Sequence, residues 1–302
     1  MKIYIISVPI ELQPVSQSLI YPTHNKDYGV EQDFLIWLKR NSNSLTKDPN
    51  EADWHYLPIF WTRWHINHNF AENGEGLSEL RSLAKDMIID SEKTFTITQF
   101  DGGTLIDIGK AIQFTAAKTI NEGIDIPILC SLHKSPLFSV KKKFLGSFNG
   151  SFDTHLIRTE MFDHFAHNPL FNIGNGLPTR FYKRLIQGKQ FNLNILASYV
   201  ALCPRGTSAN SFRFFEAMQL GVAPCLVGDI DVRPFKKFIN WNEISYYASD
   251  ITQLDVLLKN IDKSEAIRKG KMAKKIFFRD LYYQKWCKYV LLELKDILKA
   301  KP

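Results

Sequence analysis

Leu202-Cys203-Pro204-Arg205-Gly206-Thr207-Ser208-Ala209-Asn210-Ser211-Phe212-Arg213-Phe214-Phe215-Glu216-Ala217-Met218-Gln219-Leu220-Gly221-Val222-Ala223-Pro224-Cys225 is the most informative stretch of this 302-residue chain. The apolar run from Ile195 to Leu202 reads as a buried strand, and Pro204 and Gly206 then open a polar loop. Asn210 or Ser211 is a good N-cap for the helix that follows. Gly221 stands where a C′ glycine ends that helix, and Pro224 forbids its continuation. A strand, a polar loop and a helix N-terminus form a recipe for holding phosphate, because open N–H groups and the positive end of the helix dipole converge there. Arg205 in the loop and Arg213 in the first turn add guanidinium forks suited to a diphosphate. Ser208, Asn210 and Ser211, within the small polar run before the helix, join them as candidate loop contacts. Glu216, three residues after Arg213 on the same helix face, either accepts bonds from ribose hydroxyls or pairs with Arg213.

Outward from this segment, apolar runs of strand length alternate with stretches of helical period, the signature of α/β folds with parallel sheets. In the first half the expected strands are Lys2–Val8, Asp53–Phe60, Thr94–Gln99 and Ile126–Cys130, with helices over Glu31–Arg40 and Leu77–Asp90. A second series begins near Lys143. Its expected strands are Phe144–Phe148, Leu193–Leu202, Ala223–Val227 and Ile244–Ala248. Its expected helices are Thr154–Phe165, Thr179–Ile186, Ser211–Leu220, Ile251–Ile261 and a long one from Ser264 onward. Two such series predict two Rossmann-like domains facing across a cleft, over residues 1–138 and 139–280 with a linker at His133–Lys142. Residues 281–302 are expected to form a C-terminal helix returning to the first domain.

Apolar residues at 45% and charged residues at 23% give a globular balance. Four scattered cysteines without a CxxC argue against a zinc site and suit a reducing compartment. The opening MKIYIISVPI is followed at once by Glu11 and carries no small-residue cleavage site, so it reads as a buried strand and a cytoplasmic location is expected. The net charge of +7 is concentrated late: from Lys259 to Pro302 there are 13 Lys or Arg against 5 Asp or Glu, leaving the remainder near −1. Such a stretch forms a solvated face or a peripheral contact with an anionic membrane or glycan. It carries no nucleic-acid-reading motif, so nucleic acid is not an expected partner.

CPRG, a short spacer, SFRFFEA and then GVAP resemble the exostosin-like glycosyltransferases, whose pattern here is CPxG, spacer, SxRxxEA and GxxP. Further likeness lies in Asp48-Pro49 with Glu51-Ala52-Asp53 and Leu57-Pro58, in FLGSFNG (144–150) followed by Arg158, and in Arg233-Pro234-Phe235 through Ile239-Asn240-Trp241. At the last of these Asn240 replaces the family's usual Asp. The resemblance spans roughly residues 48 to 262. It implies a GT-B fold and an inverting transfer without bound metal. The implied substrates are a nucleotide-sugar donor, commonly UDP-linked and held mainly by the second domain, and a glycan acceptor. Arg205, Ser211, Arg213 and Glu216 match the donor motif, and Arg158 matches a basic position near the phosphates. Eukaryotic members sit behind a membrane anchor that this sequence lacks, which suggests a viral or bacterial chain.

An inverting transfer needs a general base for the acceptor's proton and positive charge for the departing diphosphate. Asp101, on a glycine-rich loop just past the strand Thr94–Gln99, is the expected base, since open α/β sheets build sites at strand C-terminal ends. An Asp-Gly pair also makes turns, and Asp53, His65, His133 and His155 are rivals. Asp229-Ile230-Asp231 spells a DxD but follows the strand after the helix, where it reads as a loop holding two acids. His65 and His68 have no carboxylate at a matching offset for a metal. Trp61 and Trp64, if exposed, would stack on an acceptor sugar. A nucleotide- or glycan-binding subunit without turnover is the alternative reading.

Overall fold

The computed structural model describes residues 1–15, 29–84, 86–130, 132–133, 136, 138–174 and 190–300. The expected helix at Thr179–Ile186 lies outside them. The chain divides into two units: Met1–Leu129 with Leu281–Pro302, and Cys130–Asp280. Each holds one wholly parallel sheet, which forces the chain to cross over between strands and puts apolar residues on both sheet faces.

In the first unit the strands are β1 (Ile3–Ile5), β2 (Leu45–Thr46), β3 (Trp54–Tyr56), β4 (Thr94–Thr98), β5 (Ile112–Thr115) and β6 (Ile124–Asp125), in the order β2-β1-β3-β4-β5-β6. Helices α1 (Val30–Arg40), α2 (Trp61–Asn67) and α3 (Leu77–Ala84) lie between them. Phe34 of α1 packs edge-on to Tyr56 and Phe95 and stacks on Trp286 at 6.0 Å, so the chain's last segment completes this unit's aromatic core. That segment ends in the helix Cys287–Ala300.

Glu31, in the first turn of α1, is buried, and one of its oxygens accepts bonds from Thr62 Oγ1 at 2.6 Å and from the Gln99 N–H at 3.1 Å. It thereby ties α1, α2 and the end of β4 together. Burial raises its pKa from 4.5 to about 7, and those hydrogen bonds only partly oppose the shift. A carboxyl with a raised folded-state pKa binds its proton more tightly when folded. Its stabilising contribution is full below pH 4.5 and is lost as pH rises to about 7. At about 1.4 kcal/mol per unit, urea denaturation from pH 5 to 8 should show wild type losing on the order of 2–3 kcal/mol more than Glu31→Gln. Parallel pH profiles for the two proteins would show that Glu31 keeps its ordinary pKa.

The second unit has β7 (Phe144–Asn149), α4 (Leu156–Phe165), β8 (Phe171–Gly174), helical residues 190–196 (α5), β9 (Ser198–Pro204), α6 (Phe212–Leu220), β10 (Ala223–Val227), β11 (Tyr246–Ala248), α7 (Ile251–Lys259) and α8 (Lys263–Ile276). The C-terminal helix of the first unit is then α9. The strand order β11-β10-β9-β7-β8 makes this a doubly wound sheet whose topological switch point lies between β7 and β9. Two Rossmann-like units with the last helix returned to the first give a GT-B-like fold.

Three sequence expectations need correction. The run Leu193–Leu202 is not one strand, because the Ala197 N–H still bonds to the Leu193 carbonyl and pairing with β7 begins only at Ser198 opposite Phe144. Ile126–Cys130 is largely buried but outside the strands; the edge strand beside β5 is Ile124–Asp125. The basic tail is not one helix. α8 belongs to the second unit and α9 to the first, and several of the cations are engaged: Lys269 with the Asn242 carbonyl, Arg268 with Glu243 and Lys259 with Asp255. All four cysteines are free. Among the described residues no helix is long and apolar enough to cross a membrane.

α8 crosses the α6–β10 turn with backbone against backbone. A Cβ at Gly270 would press into the Gly221 carbonyl oxygen and lie 2.9 Å from the Ala223 nitrogen. Neither can move without breaking the turn. Gly270→Ala should therefore lose about 2–3 kcal/mol by overpacking, despite the roughly 1 kcal/mol that alanine gains in a helix. Denaturant unfolding measures it, and a stabilised variant would contradict the close approach.

Candidate functional site

The carboxyl ends of β7, β9 and β10 converge on one loop. β9 ends at Pro204, and the Arg205 N–H extends the pairing to the Val227 carbonyl at 2.8 Å. The Arg205 stem lies along Gly228, where a Cβ would sit 3.2 Å from it, and its Nη1 pairs with the Asp229 carboxylate. Arg158, from α4, spends its guanidinium on carbonyls. It donates to Arg205 at 2.8 Å, to Ser151 at 2.8 Å and to Pro204 at 3.3 Å. Burial, and then the neighbouring Arg213 charge, lower its pKa to about 10, which leaves it charged at neutral pH. Arg158 braces the loop rather than offering an open fork.

Ser211 is the N-cap of α6, yet its side chain makes no capping bond. Arg213, in the first turn, lies between two rings, 4.4 Å over Phe148 and 5.0 Å over Phe191, an arrangement that stabilises a cation. Its Nη2 donates to the Asn149 carbonyl, while its Nε and Nη1 are buried without partners among the described residues. Burial lowers its pKa and Glu216 opposes the shift; a guanidinium stays charged through such changes. Arg205 Nε, Asn210 Oδ1 and Thr154 Oγ1 are likewise buried with no partner among the described residues. Buried polar groups are normally hydrogen-bonded, so this concentration around one loop marks a site for a polar ligand.

Glu216 is buried, and its Oε1 accepts from His133 Nε2 at 3.0 Å. One turn on, Gln219 accepts the His133 backbone N–H at 3.1 Å and reaches Cys130 Sγ at 2.9 Å. The sequence offers ribose hydroxyls or Arg213 as partners of Glu216; the structure adds His133, which takes one of its oxygens.

The exostosin GT47 domain matches residues 109–261, half of the chain, with this loop inside the match. The chain belongs to the exostosin GT47 family. A "probable glucuronosyltransferase" of Oryza sativa subsp. japonica is 31% identical over 117 residues, 38% of this chain and 25% of the relative. A "probable beta-1,4-xylosyltransferase", IRX10 of Arabidopsis thaliana, is 30% identical over 117 residues, 38% of this chain and 26% of its own. These matches span about a quarter of the relatives' length. The Arabidopsis xylosyltransferase IRX10L is matched more widely, at 28% identity over 292 residues, 80% of this chain and 66% of that one. Among solved structures TarM is a distant likeness, with a TM-score of 0.36 and 13% identity over 73% of this chain and 58% of TarM.

In this exostosin GT47 chain both acids of the DxD face arginines. Asp229 pairs with Arg205, and Asp231 pairs with Arg233 at 2.8 Å. Burial raises the Asp231 pKa, but bonds and charge from Arg233 outweigh it and hold the carboxyl below its ordinary range. His65 and His68 diverge. His65 is buried against Phe100 at 4.5 Å, its pKa lowered by burial to about 4, whereas His68 stacks on Trp64 at 4.1 Å.

Trp61 and Trp64 are corrected. They are 0% and 3% exposed, and Trp61 Nε1 donates to Thr96 Oγ1 at 2.8 Å, so both are core residues and no sugar reaches them. Three of the rival bases are engaged elsewhere: Asp53 accepts the Lys2 N–H at 2.6 Å, His155 Nδ1 caps α4 by accepting the Ile157 N–H, and His133 holds Glu216. Asp101 sits in the turn after β4 and lines a cavity of about 380 Å³ in the first unit. Its carboxylate has no hydrogen-bond partner among the described residues.

Proposed function

We propose that this chain is an inverting glycosyltransferase moving a sugar from a nucleotide-sugar, UDP-linked in keeping with the resemblance, to a hydroxyl of a glycan acceptor. The observation that carries the reading is Arg213: a buried guanidinium with two unspent nitrogens, in the first turn of a helix at a topological switch point. That is charge set aside for an anion. In the proposed transfer the acceptor oxygen attacks the anomeric carbon from the face opposite the diphosphate. Asp101 takes the acceptor's proton, and the carbon–oxygen bond to the diphosphate breaks with its electron pair leaving on the phosphate. Arg213, Arg205 and the α6 N-terminus stabilise that departing charge. The arginine partners of Asp229 and Asp231 favour a step in which guanidinium rather than metal does this.

The test is a melting panel with UDP, GDP and CMP, each with and without EDTA. A nucleotide at about 100 times its dissociation constant adds roughly 2.7 kcal/mol to stability. The expected result is an upshift with UDP that EDTA leaves intact. No shift with any nucleotide would overturn the reading, and a shift without acceptor-dependent UDP release would leave a binding subunit.

A further inference from the structure

The connections β4–β5 and β5–β6 contain no helix, unlike the usual crossovers of a parallel sheet. Turns at residues 101–105 and 117–123 cover this end of the sheet instead, and between them they leave the cavity of about 380 Å³. Its polar lining includes Asp101, Thr104, Gln113, Thr115, Lys118 and Glu122. Thr115 Oγ1 is buried without a partner among the described residues. The one cation, Lys118, is held by Asp125 at 2.8 Å, so no unpaired positive charge faces the cavity from this lining. Leu105 and Ile120, 39% and 58% exposed, also line it and add apolar surface.

Beside this cavity stands an aromatic ring held outward. Asn69, Phe70, Ala71 and Asn73 all have positive φ, between 50° and 59°. The left-handed conformation is disfavoured for residues that carry a Cβ. The result is Phe70, 55% exposed, stacked on Phe100 with ring centroids 6.3 Å apart and 23° between planes. Phe100 also packs against His65, and it lies so close to Gly102, a cavity residue, that a Cβ there would be 2.8 Å from the ring. The stack from Phe70 through Phe100 therefore reaches the cavity wall next to Asp101.

A backed ring with an exposed face, beside carboxylates, an amide and hydroxyls, suits a pyranose chain. Sugar C–H faces pack on the aromatic ring and the hydroxyls donate to the acids. The same acids, with the lysine already paired, repel an anionic chain. We infer that Phe70 and this cavity form the acceptor subsite, and that the acceptor is an uncharged oligosaccharide. This inference rests on the glycosyltransferase reading for the word acceptor; the binding itself does not depend on it.

The experiment is saturation-transfer NMR and calorimetry with xylohexaose and cellohexaose as neutral probes and a hyaluronan hexasaccharide as the anionic one. A neutral probe is expected to bind. Phe70→Ala and Gln113→Ala should each weaken it by up to roughly tenfold, the size of an aromatic or hydrogen-bonded contact. Both variants should keep the UDP-induced melting shift. Binding unchanged in both, preference for hyaluronan, or no bound oligosaccharide would each overturn the subsite. A protein that binds xylohexaose at Phe70 but no nucleotide would retain the subsite while the transferase reading fails.

Discussion

Alanine at position 213 is expected to cost nucleotide affinity while sparing the fold. Hydrogen bonds to a charged group contribute about 1.5–3 kcal/mol, so UDP binding to Arg213→Ala should weaken by roughly 10- to 150-fold. The stability change should be small or even favourable. Wild type holds a buried guanidinium whose Nε and Nη1 have no partner among the described residues, and removing a buried charge that is only partly compensated relieves its desolvation. The lost contacts with Phe148 and Phe191 oppose this, each worth about 0.5–2 kcal/mol. Calorimetry with UDP and denaturant unfolding on the same preparation separate the two. Lost affinity with retained stability assigns Arg213 to the ligand. Lost stability with retained affinity would make it a structural cation and remove the central support of the donor site.

The second large effect belongs to Asp101. A positioned general base contributes about 10²–10⁴ in rate, and Asp101→Asn should lose that much transfer while binding UDP as before. Asparagine suits turns as well as aspartate does, so the loop after β4 should hold its shape. The measurement is acceptor-dependent release of UDP together with recovery of the extended glycan. Ordinary turnover in the variant would end the assignment and return the proton to another group.

What the sequence disclosed follows from where its signals are local. The β9–α6–β10 segment was legible because Pro204, Ser211, Gly221 and Pro224 mark its joints; Gly221 does adopt the left-handed conformation, φ 76°, that ends α6. The pairing of Glu216 with His133 was not legible, since 83 residues separate the two and no pattern near either predicts the other. Trp61 and Trp64 misled for a different reason. Aromatic crowding signals burial and sugar binding alike, and only their position in the folded core decides between them. The short strands β2 and β6, two residues each, are too brief for any alternation to show. Phe70 reads as one more ring of the same aromatic crowd, because its exposure depends on a left-handed run in which only two of four residues are asparagine.

The return of the final segment to the first unit bears on how the protein is made. Residues 130–280 form one uninterrupted piece, so the second unit has all its parts as soon as its last helix leaves the ribosome. The unit begun first must wait for Trp286 to reach Phe34, and so it is finished last. A chain released early would carry a complete centre and an open beginning. Closure of the first unit thus acts as a checkpoint on assembly, passed only once the centre has its parts.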